Sequence, residues 1–328
     1  MKSLFFGLAA MLALTACGKG AATATTDAVE TAATDTATVY FIKDITPENL
    51  VKVYKALGRE AKGKVAVKIS TGESEKTGYI RPDFMAPLIA ELGNATIVEC
   101  NTAYNGNRNT TEAHLKAIAE RGFEKVAPVE ILDAEGDTLL PLEGGRHLKG
   151  HMVGKAYPDY DFTVVLSHFK GHAMGGFGGA LKNISIGLAS ADGKSYIHSA
   201  GKHDKVEGIW ANIADQDDFL ESMAEASKVI VDHAGDNILY INVANKLSVD
   251  CDCDGNPHAP EMGDLGIYAS LDPVALDQAC LDMVFNSEDP GKADLVERIN
   301  SKMGTHTVDH AAEIGVGSKE YKLVTITE

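Results

Sequence analysis

Residues Lys64 to Glu99 read KVAVKISTGESEKTGYIRPDFMAPLIAELGNATIVE. The stretch Lys64–Ile69 alternates side chains as a strand does, and Ala95–Glu99 is a second short run rich in β-branched residues. Between them, Arg81–Leu92 repeats its apolar residues at helical spacing, with Pro87 expected to kink it. Strand, helix and strand in this order form a βαβ unit, and such a unit joins two parallel strands.

The alternation continues on both sides. Upstream, Val39–Ile42 reads as a strand and Pro47–Ala61 as a helix, with Thr46 as its N-cap and Pro47 in its first turn. Downstream, Thr110–Arg121 is a helix stopped by Gly122. Val129–Leu132 and Leu148–Lys155 read as strands, and Phe162–Ser167 as a strongly apolar one. A helix over Asp217–Ala234 and a buried strand over Asn237–Val243 follow. Asp272-Pro273 opens a helix that runs to Asn286. Helices near 290–303 and 308–314 and a strand over Tyr321–Thr327 close the chain. The pattern predicts an α/β fold with a mostly parallel sheet built from βαβ units. Residues 39–328, about 290 in all, suffice for one large domain or for two packed lobes with a crevice between them.

The N-terminal segment reads differently. Lys2 precedes an apolar run of about eleven residues, Leu4–Leu14, too short for the ~20 that span a bilayer and suited to a signal-peptide core. It ends in Leu14-Thr15-Ala16-Cys17, which resembles a lipobox. Residues 1–16 are therefore expected to be a signal peptide and Cys17 a lipidated N-terminus, which places the protein in the cell envelope, tethered to a membrane. Residues 17–38 are Ala/Thr-rich, bury too little to offset their ordering entropy, and are expected to be a flexible spacer. The net charge of −17 argues against nucleic acid and against any membrane contact beyond the anchor, since both surfaces would repel it.

Two constellations carry chemistry. After the strand ending at Ser167 comes His168-Phe-Lys170-Gly-His172, then Gly178-Gly179-Ala-Leu-Lys182-Asn183. Glycine at this density signals unusual backbone or a close approach to a ligand. The carboxyl end of a parallel strand is where α/β folds place their crevice. Backbone N–H groups here, with Lys170, Lys182 and Asn183, would hold an anion, with His168 and His172 as bases or ligands. Lys182 is followed by Asn183, so this is not a P-loop.

The second is Asp250-Cys251-Asp252-Cys253-Asp254-Gly-Asn-Pro-His258. In an extended chain Cys-x-Cys points both sulfurs to one side, a way to hold a thiophilic metal. A bridge between these two cysteines would close a very small ring, whereas disulfides with Cys100 or Cys280 are the plain alternative. A calcium loop competes, because Asp250, Asp252, Asp254, Gly255 and Glu261 match EF-hand spacing. The strand before it, Pro257, Pro260 and the two thiols all count against calcium. Lesser candidates are Lys68, Ser70 and Thr71 after the second strand, and the polar loop from Asn101 to Arg108 after the third. Arg81, His114, His147, His151 and His198 either line the crevice or lie on the surface, and Cys280 reads as a core residue.

Three segments together resemble the DUF362 family of bacterial and archaeal proteins. They are His168–His172 running into Gly178–Asn183, Cys251-Asp-Cys253 followed by Gly263–Ser270, and Leu271–Ala279. Many members carry a ferredoxin-like C-x-x-C-x-x-C insert, and residues 190–236 contain no Cys at all. The resemblance implies a metal- or thiol-dependent site without a separate 4Fe-4S cluster. Iron, nickel or zinc would suit the donors, and a small anionic molecule would suit the loop. The readings left open are an enzyme, a binding module for a metal or small ligand, and a structural lipoprotein stapled by disulfides.

Overall fold

A computed structural model describes residues 36–327. The signal peptide and Cys17 lie outside the described residues, as does all but the end of the spacer. In chain order the elements begin β1 (Ala37–Ile42), α1 (Pro47–Ala56), β2 (Val65–Lys68), α2 (Pro82–Leu92), β3 (Ala95–Glu99), α3 (Thr111–Arg121) and β4 (Val129–Ile131). Next come β5 (Asp137–Pro141), β6 (Gly150–Gly154), β7 (Phe162–His168), β8 (Lys170–His172), β9 (Gly176–Gly178), α4 (Ala180–Ser185) and α5 (Ala191–His198). The chain ends with α6 (Gln216–Ala234), β10 (Ile238–Ala244), β11 (Gly266–Ser270), α7 (Pro273–Asn286), α8 (Lys292–Ser301), α9 (Thr305–Glu313) and β12 (Tyr321–Thr325).

Eight strands form one sheet in the order β12-β1-β11-β10-β7-β2-β3-β4. Every neighbouring pair is parallel except those involving β11, which runs antiparallel to both β1 and β10. The mostly parallel α/β sheet expected from the sequence is thus present. Strand residues alternate between two cores, as the pleat demands. On one face Val67, Ile97, Leu166 and Ile241 pack with Leu50, Met85, Leu88 and Ile118 from α1, α2 and α3. On the other, Ala66, Val98, Val165 and Tyr240 pack with residues of α4, α6, α7, α8 and α9. Strands β7 and β10 are buried along their whole length because helices cover both faces.

The local signals act where they were read. Thr46 and Thr110 each cap a helix through their side chains, Gly122 ends α3 in the left-handed region, and Asp272 accepts the N–H groups of Val274 and Ala275. Other expectations need correction. The first helix stops at Ala56, five residues early, with Gly58 at a φ of 64° just beyond it. Leu148–Lys155 supplies β6, but this strand pairs with β5 in a separate hairpin. The glycine-rich stretch is a two-stranded ribbon, β8 and β9, leading into α4. Residues Thr36–Glu328 make one compact unit, so the crevice is a cleft over strand ends within one body. Among the described residues no helix is long and apolar enough to cross a membrane.

After β2 the chain moves outward to β3 and β4, then returns to place β7 on the other side of β2. The loops leaving β2 and β7 diverge there, and such a switch point opens a crevice beyond the carboxyl ends of the strands.

Candidate functional site

A cleft of about 110 Å³ lies at that switch point. Four parallel strands each send one segment to it. Lys68 and Ser70 come from the end of β2, and Glu99, Cys100 and Arg108 from the end of β3 and its loop. His168, Lys170, Gly178, Gly179, Lys182 and Asn183 follow β7, while Cys251, Asp252 and Cys253 follow β10. Lys194 of α5 completes the wall. Five basic side chains therefore meet two carboxylates in one small space, in a chain whose overall charge is −17.

Two buried ion clusters organise the wall. Glu99 accepts from Lys68 Nζ at 2.9 Å and the Thr71 N–H at 3.0 Å, and pairs with Arg108 at 3.3 Å. Burial pushes the Glu99 pKa up, but Lys68, Arg108 and His114 outweigh it and hold the carboxyl down at about 2. Arg108 also donates to Glu73 at 3.0 Å and to the Tyr104 hydroxyl at 2.7 Å. Asp252 pairs with His168 Nδ1 at 3.0 Å and with Lys170 Nζ at 3.0 Å. Against the upward push of burial, those two cationic partners keep the Asp252 carboxyl well below the usual range.

His168 is engaged at both nitrogens, since Nε2 lies 2.6 Å from the Asn245 carbonyl. Carboxylate and carbonyl both only accept, so both ring nitrogens donate. The ring ties β7 to the cysteine loop and offers no free lone pair. His172 is different. Its Nδ1 accepts the N–H groups of Gly175 at 2.8 Å and Met174 at 3.2 Å. Burial, with Lys182 and His198 nearby, pushes its pKa far down, which leaves the ring neutral with its proton on Nε2.

The glycine-rich stretch was expected to offer backbone N–H groups to an anion, and here the structure differs. The Ala180 and Leu181 N–H groups donate to Asp277 at 2.8 and 2.9 Å, and Asn242 Nδ2 donates to the same carboxylate. Burial holds the Asp277 pKa up at about 6 in spite of those donors. Those two N–H groups are therefore not free to hold an anion. A Cβ added at Gly179 would collide with the Asp277 carboxylate. Gly179→Ala should displace it, free two buried N–H groups and destabilise the fold by about 1–3 kcal/mol in urea titrations. An unchanged midpoint would show that this contact does not hold the turn.

Cys251 and Cys253 correct another expectation. They form a disulfide across a single residue, a pairing the sequence argued against. Two residues of extended strand would separate their Cα atoms by about 6.6 Å, whereas a turn at Asp252 and Cys253 brings them to 5.2 Å. Asp252, pulled toward His168 and Lys170, is the residue around which the chain turns. Cys100 and Cys280 are free and buried, so the pairings proposed for them do not form. The calcium reading fails on geometry, because the carboxylates diverge. Asp250 binds His258 and Arg298, Asp252 binds His168 and Lys170, and Asp254 accepts the Asn256 N–H.

His172 and the two cysteines place one potential ligand atom each within 4.8 Å of one another, the one such His/Cys group among the described residues. Once the disulfide is reduced the two sulfurs would suit a thiophilic ion, and His172 would join them only on giving up the contacts of its Nδ1 with Met174 and Gly175 and moving its proton off Nε2. The group does not supply the four thiolates of an iron–sulfur cluster.

Asn183 joins the ends of β2 and β7, accepting from Lys68 and donating to Ser167 Oγ. Asn101 sits away from the cleft, bound to Asp133 and Thr111. Arg81, His114, His147, His151 and His198 do not line the cleft. Arg81 packs over Tyr79, His114 meets Thr71, His147 meets Glu221, and His198 stacks on Phe219. Sequence reasoning did not place Glu99 or Lys194 at the cleft, and it gave Asp252 only as a calcium-loop carboxylate. A readable signal existed for the first, since Lys68, Glu99 and His168 are each an ionisable residue closing an apolar parallel strand.

No curated protein matches the chain. Among solved structures, a Thermotoga maritima protein is 17% identical, with a TM-score of 0.42 over 72% of this chain and 57% of that one. The lactate racemase apoprotein from Thermoanaerobacterium thermosaccharolyticum is 17% identical, with a TM-score of 0.37 over 62% of this chain and 50% of that one. The chain thus spans about half the length of each. Residues 65–282 match the family model described as a domain of unknown function, DUF362, and the chain belongs to that family.

Proposed function

We propose that the protein is a cell-envelope lipoprotein, anchored through Cys17, that acts on a small anionic molecule in this cleft with Cys251 and Cys253 as its reactive centre. The observation that carries the reading is the meeting of five basic side chains with the cysteine pair in a cleft of about 110 Å³. Such a space suits a small carboxylate or phosphate. In the oxidised state the pair is a disulfide beside the bound anion, able to exchange with an incoming thiolate. In the reduced state the two thiolates would hold iron, nickel or zinc, with His172 as a third ligand once its ring exchanges the Met174 and Gly175 contacts for the ion. An exported protein would acquire either state after crossing the membrane.

The alternative is a non-catalytic receptor for a metal or small ligand. It is favoured by how many cleft groups are already engaged with one another, His168, Lys170, Asp252, Lys68 and Glu99 among them.

One set of measurements tests both. Protein reduced and purified without air should take up near-stoichiometric zinc or nickel, and the Cys251→Ser/Cys253→Ser variant should take up none. Pyruvate or phosphate should raise the Tm of wild type in a concentration-dependent way, the gain in unfolding free energy reaching about 2.7 kcal/mol at a hundredfold excess over Kd. Absence of metal uptake by the reduced protein, together with a Tm blind to both anions, would sink the reading.

A further inference from the structure

One basic residue of the cleft stands apart from the others. Lys68 is paired with Glu99, Lys170 with Asp252, and Arg108 with Glu73 and Glu99. Lys194 donates to the Ala189 carbonyl. Lys182 forms no hydrogen bond and no ion pair among the described residues, although it is half-buried and lines the cleft. It lies on α4, whose start is fixed by the contacts of Ala180 and Leu181 with Asp277. Its chain passes over Gly178: a Cβ placed there would lie 3.6 Å from Lys182 Cδ and 3.8 Å from Lys170 Nζ. A longer side chain at position 178 would fill the space where Lys170 and Lys182 approach each other.

An amine with no partner, next to ammonium groups already neutralised by carboxylates, is the arrangement of a nucleophile. The geometry points to Lys182 as the residue that forms an imine with the carbonyl of a small 2-oxo acid, whose carboxylate is held by the neighbouring cations. This deepens the anion reading above and rests on it.

Burial and the charges of Lys170 and Lys68 push the Lys182 pKa down to about 7. At neutral pH that leaves about a thousandfold more free amine than an ordinary lysine offers. With Lys182 uncharged, the lining still holds four other basic side chains against two carboxylates, enough to attract a carboxylate. In the step itself the Nζ lone pair attacks the carbonyl carbon, and the oxygen takes a proton to give a carbinolamine. The hydroxyl then leaves as water. In sum, one amine, one carbonyl and one solvent proton give one protonated imine and one water, with no change of oxidation state. A protonated imine withdraws electrons from the adjacent carbon, the entry to proton exchange or carbon–carbon cleavage.

The test uses the whole folded protein with pyruvate, glyoxylate or 2-oxobutyrate and sodium cyanoborohydride, which reduces imines and spares the disulfide. Peptide mapping should find the secondary amine at Lys182, formed roughly a hundredfold faster than at surface lysines, with a rate that rises through pH 7. Lys182→Arg should lose the adduct while keeping its Tm, and the site found in wild type stands even if that variant folds poorly. No adduct with any of the three acids, or an adduct at Lys194 or spread over surface lysines, overturns the proposal. If pyruvate raises the Tm and no adduct forms, the imine fails and the anion site stands. If neither occurs, both fail.

Discussion

Asp252→Ala should destabilise the protein by about 3–5 kcal/mol, because it leaves two buried cations without their shared carboxylate. The Asp252 carboxylate lies between His168 Nδ1 and Lys170 Nζ, 3.0 Å from each, and the side chains of all three are almost wholly buried. A buried pair adds little against an apolar replacement, yet breaking it from one side exposes the full desolvation cost of the partner. In a body of this size the loss corresponds to a fall in Tm of about 5–8 °C. The local consequence is as large. Asp252 is also the residue around which the Cys251–Cys253 turn forms, and its backbone carbonyl accepts the Glu73 N–H at 2.7 Å. Adding Lys170→Met should recover part of the loss by removing one of the stranded charges. A single variant within 1 kcal/mol of wild type would show that this triad does not hold the cleft together.

Glu99→Gln is expected to cost about 2–4 kcal/mol, less than the first because both partners keep other contacts. Lys68 retains the Ile69 carbonyl and Asn183, and Arg108 retains Glu73. The same carboxylate predicts a pH dependence. Its folded pKa is depressed to about 2, whereas an unfolded glutamate titrates near 4.3. A depressed acid contributes stability that is complete above the unfolded value and is lost as pH falls through the folded one. Wild-type stability in urea should therefore drop between about pH 4.3 and 2, and Glu99→Gln should flatten that drop. A variant whose acid limb overlays wild type would remove Glu99 from the account.

The helices and most strands of the sheet were legible because their causes are local. Thr110, three residues from the Ala113 N–H it accepts, and Gly122 bound α3 without help from distant residues. The same holds for Asp272 and Pro273 at the start of α7. β11 was not recognised as a strand, since Gly266–Ser270 takes its antiparallel place from partners on two sides, β1 and β10. The β8–β9 ribbon was hidden for a related reason. Its glycines signal unusual backbone, but the fold they adopt depends on the 248–249 segment, whose Ser248 carbonyl accepts the Gly171 N–H.

At the site, the sequence by itself determined which ionisable and thiol side chains follow the strand ends. His168, Lys170, His172, Lys182, Arg108, Cys251 and Cys253 were singled out from residue type and spacing alone, and the structure brings them to one end of the sheet. Only the tertiary structure decided what each of them is free to do. It engages His168 at both nitrogens, gives the Ala180 and Leu181 N–H groups to Asp277, folds the two cysteines into one disulfide and leaves Lys182 without a partner among the described residues. The physical reason is that pairing depends on distance across the fold. Asp252 and His168 are 84 residues apart in the chain, and Ala180 and Asp277 are 97 apart. Local propensity does not encode such distances, whereas a sheet whose parallel strands end at one edge brings those residues together.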